Sequence, residues 1–344
     1  MKHYVGLDVS LKETSVCVLD EEGSVVTEAK VLSEPEVLVA YLRGLSLRFE
    51  RIGLEAGPLS QWLHDGLAVG GFCATCIETR HAKAFLAAQQ VNKTDRKDAR
   101  GIAQMMRVNL YKAVHVKTVA SQEKRALLTS RRFLGRRLLD LENEIRGLLR
   151  GFGLKVGAVK RRRFAARAEE LLGNHAALDK VIRALLPVHA VALAQFDKLD
   201  TELRKVARED PVCRLLMTVP SVGVVTALTF RATVDQPGRF SRSKALGAHF
   251  GMTPRRNQSG ELDRNGRISK CGDEMLRSML FEAANVMLTR DKRWSWLKAW
   301  ALQVAKRSGM RKAKVALARR LAVIMHRMWV DSTPFCWTRK ELAA

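Results

Sequence analysis

At 344 residues, 47% hydrophobic and 28% charged, the chain has the composition of a globular protein with room for two cores, and it needs no disulfides to fold. No stretch approaches about eighteen uninterrupted apolar residues, and residues 1–10 carry no basic segment followed by an apolar one. Neither a membrane span nor a secretory leader is expected, which places the protein in the cytoplasm. A net charge of +25 with a pI near 10.4 calls for a polyanionic partner, because each phosphate contact releases condensed counterions.

Three β-rich segments open the chain: residues 3–9 (His-Tyr-Val-Gly-Leu-Asp-Val), Thr14 to Leu19 and Ser24 to Val31, read as consecutive antiparallel strands. Helical spacing follows over Glu34 to Leu47, then a short strand, Arg51 to Glu55, ended by Gly57-Pro58. A helix over Leu59 to Val69, a strand over Phe72 to Glu78, and helices over His81 to Gln90 and Asp95 to Val108 complete the block. This succession is that of a ribonuclease H-like (RuvC-like) mixed sheet with helices on its faces. Cys73 and Cys76 fall on opposite faces of a strand and have no second ligand pair, so they make no zinc site.

From Ser121 to Leu149 the pattern turns long, helical and charged, and a second such helix runs from about Leu178 to Val206. With Lys160-Arg-Arg-Arg163 near its tip, the stretch reads as an antiparallel coiled-coil hairpin. After Asp210-Pro211, the run Val219-Pro-Ser-Val-Gly223 before an apolar helix has the pattern of a helix-hairpin-helix turn, which places Ser221 and Gly223 as candidates to meet a DNA phosphate. The remainder is expected to be mainly helical. Lys306 to Arg320 reads as a basic helix along nucleic acid, and Trp294, Trp296 and Trp300 as mostly packing residues. The fold class is thus α/β plus α, divided as 1–118, 119–210 and 211–344. Charge follows the division: Lys and Arg number 15, 20 and 25 in the three parts, against 14, 12 and 9 Asp and Glu.

Asp8 lies inside the first strand, where an acid costs folding energy unless compensated. Glu55 ends a central strand, and Asp95 and Asp98 stand three apart at a helix start, on one face. Four such carboxylates suit hard cations, and two Mg²⁺ ions (Mn²⁺ as an alternative) about 4 Å apart are the usual device for phosphodiester chemistry. Among the basic residues after 240, several serines, Ser241, Ser243, Ser259 and Ser269, are open as nucleophiles.

Tyr4-Val-Gly-Leu-Asp-Val-Ser10, Gly53-Leu-Glu-Ala56, Lys93-Thr-Asp-Arg-Lys-Asp-Ala99, Gly251-Met-Thr-Pro-Arg-Arg-Asn-Gln-Ser-Gly260 and Gly266-Arg-Ile-Ser-Lys-Cys-Gly272 resemble the DEDD transposases of the insertion sequence one-ten family over nearly the whole chain. The resemblance implies a RuvC-like DEDD domain, a coiled coil and a C-terminal transposase domain that together recombine donor and target DNA under an element-encoded bridge RNA. It implies Asp8, Glu55, Asp95 and Asp98 as metal ligands and Ser259 as nucleophile, forming a phosphoserine intermediate. Where the family commonly shows two serines before the glycine, Gln258-Ser259 leaves one. Arg255, Arg256, Arg267 and Lys270 are candidates to hold the DNA backbone or stabilise the phosphorane. A homo-oligomer, a dimer assembling to a tetramer, is implied, with the carboxylates of one protomer meeting the serine of another. A metal-dependent junction resolvase using water as nucleophile is the alternative the four acids allow.

Overall fold

The computed structural model describes residues 1–89, 94–173 and 175–338; Gln90, the expected end of a helix, and Lys93 of the quoted motif lie outside them. The chain divides into two compact units, Met1–Lys117 and Thr118–Ala344. Among the described residues no helix is long and apolar enough to cross a membrane.

The first unit is a five-stranded mixed sheet with helices on both faces. Its strands β1 (His3–Val9), β2 (Glu13–Leu19) and β3 (Val25–Leu32) form the expected antiparallel meander, joined by β4 (Phe49–Glu55) and β5 (Ala74–Ile77) in the order β3-β2-β1-β4-β5. The strands β1, β4 and β5 are mutually parallel. Strand alternation sorts the residues. Val5, Leu7, Val16, Val18, Ile52 and Leu54 form one apolar face, packed by α1 (Pro35–Gly44), which begins with proline where no backbone donor is needed, and α2 (Ser60–Val69).

The other face carries Tyr4, Gly6, Asp8, Cys17 and Leu19. Helix α3 (Thr79–Gln89) precedes α4 (Asp95–Arg107), which lies across this face and starts where the Thr94 hydroxyl accepts from the Lys97 amide at 3.3 Å. The approach of α4 is very close at β1. A Cβ on Gly6 would stand 2.0 Å from the Ala99 carbonyl oxygen and 2.4 Å from the Ala103 nitrogen. Glycine is needed there for space, not for its backbone freedom.

The second unit is mainly helical. Helices α5 (Val119–Gly151) and α7 (Ala176–Glu209) form a long antiparallel pair, and a short α6 (Phe164–Leu172) fills the tip. Ile145 and Leu149 meet Leu178 and Ile182 in the tip core, whereas Leu128 joins Leu203 and Ala207 in the body. Within the pair, buried Glu142 accepts from Arg161 Nε at 2.7 Å and lies 3.3 Å from His189 Nε2, so the interior polar groups are matched. The root of α5 is tied down at Asp235, whose carboxylate accepts from the Thr118 amide at 3.0 Å, the Thr118 hydroxyl at 2.7 Å and the Ser121 hydroxyl at 2.6 Å.

The body consists of α8 (Pro211–Leu216), α9 (Val224–Val234), α10 (Ala245–His249), α11 (Glu274–Thr289), α12 (Trp296–Ser308) and α13 (Met310–Asp331) around one apolar core. Two features depart from expectation. The basic stretch Lys306 to Arg320 is not one helix, because Gly309, at φ 82°, ends α12 and starts α13. A two-stranded hairpin, β6 (Pro254–Ser259) and β7 (Leu262–Ile268), also interrupts the helices.

Candidate active site

Backbone register brings the N-terminal acids to one end of one sheet face. Leu7 pairs with Leu54 in parallel, so Asp8 and Glu55, one residue further on, emerge together on the opposite face. Asp8 also pairs with Ser15, and Ser15 with Lys30. Asp8, Ser15 and Lys30 therefore make a row across three strands, just beyond the row that α4 covers. The first turn of α4 carries Asp95, which is exposed, and Asp98, which is 5% exposed.

Asp8 and Asp95 line a common cleft of about 690 Å³, with Lys12, Glu13, Lys30 and the apolar Leu11 and Leu59 among its walls. Lys30 Nζ lies 4.0 Å from both Asp95 Oδ2 and Glu13 Oε2. Among the described residues, no three His, Cys, Asp or Glu side chains are drawn close enough to form a metal cluster. In donor type Asp8, Glu55, Asp95 and Asp98 fit a hard divalent cation, since carboxylate oxygens are what such ions prefer. Sulfur does not compete: Cys17 is fully buried beneath α4, and burial, with Glu28 beside it, pushes its thiol up to about 12. Glu13 and Lys30 were missed in the sequence. Only the pairing of β2 with β1 and β3 reveals that they face the same way as Asp8.

Ser259 ends β6 in the second unit. It pairs with Leu262 across the two-residue turn Gly260-Glu261, where Gly260 takes φ 55°. Residues 254–267 are exposed on both strands, so no core covers either face of the hairpin. Its neck is well held. Ser269 donates to Thr253 at 2.9 Å and Lys270 to Gly251 at 3.0 Å through their amides, and Arg277 Nη1 reaches the Cys271 and Phe250 carbonyls at 2.6 and 3.3 Å.

Alternation again decides which cations accompany the serine. Asn257 pairs with Arg264 and Ser259 with Leu262, which puts Arg264 on the serine's face. Arg256 is on the other face, in a bidentate pair with Asp263 at 2.8 and 2.6 Å. Arg255 donates to the Ser269 carbonyl at 3.3 Å, and Arg267 and Lys270 are exposed near the neck. Arg264 was not singled out from the sequence, although counting outward from the Ser-Gly-Glu-Leu turn would have found it.

The turn before α9 has a carboxylate neighbour. Ser221, at φ 64°, donates its hydroxyl to Asp291 Oδ2 at 2.8 Å, and Gly223 caps α9 without a side-chain bond. Arg293 reaches Asp291 with Nε at 3.0 Å and Nη2 at 2.8 Å and, helped by Ser221, holds its carboxyl well below the usual carboxylate range. A lowered folded-state value stabilises above the ordinary carboxylate pKa near about 4, and that contribution is lost as pH falls below it. Asp291→Asn is therefore expected to be less stable than the wild type at neutral pH, with a gap that closes below about pH 4. Urea unfolding across that range checks this; a pH-independent gap would refute it.

Of the tryptophans, Trp296 stacks on Phe335 and bonds the Cys336 carbonyl at 2.9 Å, and Trp300 lies under Arg320, whereas Trp294 is 66% exposed. The basic side chains Arg311, Lys312 and Arg319 lie exposed along α13.

Comparison with known proteins matches both units. Residues 5–153 fit a family model described as transposase, of the DEDD type, and residues 213–300 fit the model of the transposase IS116/IS110/IS902 family. The chain is 31% identical over 331 residues to the transposase for insertion sequence element IS1111A of Coxiella burnetii, covering 93% of this chain and 88% of that protein. It is 27% identical to a probable family 20 transposase of Pseudomonas aeruginosa, covering 80% and 82% of the two chains. It is also 27% identical to the transposase for insertion sequence element IS1328 of Yersinia enterocolitica, with 70% and 72% covered.

Proposed function

Because this chain belongs to the IS116/IS110/IS902 family of transposases, and so cleaves and rejoins the DNA of an insertion sequence, we propose that it does so through a serine-linked intermediate, with Asp8, Glu55, Asp95 and Asp98 as a divalent-metal set. One observation carries the reading: Asp8 and Glu55 share the end of a sheet face on which the first turn of α4, bearing Asp95 and Asp98, comes to rest. The strand order, an antiparallel meander continued by parallel strands, supports a ribonuclease H-like unit of the RuvC kind. When bound there, Mg²⁺ would supply charge neutralisation and polarisation at the phosphate.

The protein's own groups then divide the work. The Ser259 oxygen attacks phosphorus, a bond from phosphorus to one sugar oxygen breaks, and the serine proton ends on that departing oxygen. The phosphoserine keeps the phosphodiester energy, so a hydroxyl of a second strand can reverse the step without ATP. Arg264, on the serine's face, would stabilise the charged phosphorane, while Arg255, Arg267 and Lys270 would grip the backbone. Arg256, already neutralised by Asp263, contributes less.

A net charge of +25 suits polyanionic partners, and beside DNA the family resemblance implies a structured guide RNA, which would choose donor and target by base pairing. Following the family resemblance, we assign the joint action of the serine and the acids to an oligomer that assembles on the paired DNA. Asp8→Asn is expected to slow strand cleavage by on the order of 10³-fold while the protein still binds DNA. A gel assay with supercoiled donor DNA checks it, and normal recombination by that variant would end the assignment.

A further inference from the structure

We propose that Lys12 and Lys30 form a phosphate-binding arm of the carboxylate cleft that grips a single DNA strand beside the point where it is cut, an inference that rests on the cleft being the cutting site. The electrostatic problem is plain. Asp8, Glu13 and Asp95 line the cleft; Glu13 lies outside the proposed metal set, and an incoming strand adds further negative charge, so acids not matched by cations would repel the substrate. Among the described residues lining the cleft, Lys12 and Lys30 supply the positive charge.

Their placement suits that task better than a structural one. Lys30 belongs to the Asp8–Ser15–Lys30 row, so its backbone stands two strands, about 10 Å, from that of Asp8. Its ammonium sits 4.0 Å from both Asp95 and Glu13, with the side chain 57% exposed. That separation is too long for a hydrogen bond, and ion pairs so exposed contribute little to stability. Lys30 is therefore held between two acids without being committed to either, and a phosphate oxygen can take their place at small cost.

Lys12 is presented by a stiff turn. The Ser10 hydroxyl donates to the Glu13 carbonyl at 2.6 Å, and the Lys12 carbonyl accepts from the Ser33 amide at 3.0 Å. Beside it Leu11 is 80% exposed and, with Pro58 and Leu59, gives the cleft an apolar wall. Cations on one side and apolar surface on the other are what an unpaired strand needs for its phosphates and its sugars or bases.

Lysine acylation footprinting of the full chain, in EDTA, with a 12-nucleotide single-stranded DNA tests the proposal. Lys12 and Lys30 are expected to react at least about fivefold more slowly with DNA present, and Lys30→Gln to lower the salt slope of binding by about 0.7. Lys30→Arg is expected to restore it. If Lys12 and Lys30 react at unchanged rates while Lys306, Lys312 and Lys314 are protected, the arm is refuted and the DNA-binding reading stands. If no lysine is protected, that reading fails as well. Protection by a 12-nucleotide RNA but not by DNA would also overturn the proposal.

Discussion

Replacing Ser259 by alanine is expected to yield a protein that folds, binds DNA and forms no covalent adduct with it, strand exchange falling by on the order of 10⁴-fold or more. The hydroxyl sits on an exposed strand, and its loss removes no packing, so stability should stay within about 0.5 kcal/mol of the wild type. That separation of chemistry from folding makes the experiment clean. Labelled DNA incubated with each protein and run on a denaturing gel shows adducts directly. Adducts that survive in Ser259→Ala but vanish in Ser243→Ala or Ser269→Ala would move the role to another serine. Cleavage by the wild type with no adduct at all would favour the junction-resolvase chemistry, in which water attacks.

The second large effect is expected at a residue that has no side chain to take part in the chemistry. Gly6→Ala places a methyl 2.0 Å from a backbone oxygen and 2.4 Å from a backbone nitrogen of α4, and backbone cannot rotate out of the way as a side chain can. The helix has to lift. Overpacking of this kind costs roughly 3 kcal/mol, and the lifted helix carries Asp95 and Asp98 with it. A shift of about 1 Å in a catalytic group is enough to cost on the order of 10²-fold in rate. Chemical unfolding and the cleavage assay measure the two losses. Gly44→Ala, in α1 and away from the cleft, is the control, since a Cβ there meets nothing within 4 Å. Equal behaviour of the two variants would show that α4 is not seated on Gly6.

How much of this was legible beforehand depended on whether a residue's signal was local. The sheet strands of the first unit announced themselves because one face or both are buried, so apolar residues recur with the period of the strand. Asp8 stood out as the acid that breaks such a run, and Gly57-Pro58 marked the end of the strand that presents Glu55. Gly6 could not be read. Its need arises from a helix that is distant in sequence, and its own backbone is ordinary. Lys30 and Glu13 were silent for a related reason, because only the register of three strands shows which face they share.

The hairpin of β6 and β7 was missed for the opposite cause. Arg255 to Gln258 and Asp263 to Arg267 hold no apolar residue, since neither face is buried, and periodicity says nothing about a strand that packs on nothing. Gly309 was visible as a glycine in a basic stretch, but a helix tolerates one at modest cost, and only its positive φ reveals the break. The role proposed for Ser259 came from family resemblance. Four serines among basic residues are alike until something distinguishes them.

A hairpin that owes the core nothing has a consequence for how such an enzyme can change over time. Substitutions in β6 and β7 escape the penalties that limit replacement of buried residues, so the reach, charge and shape around the serine can be revised one residue at a time while the helical body stays intact. The part of the molecule proposed to meet the DNA is thereby released from the part that must stay folded. Screens based on melting temperature would be blind to it, and selection for a new DNA partner would find there its least constrained ground.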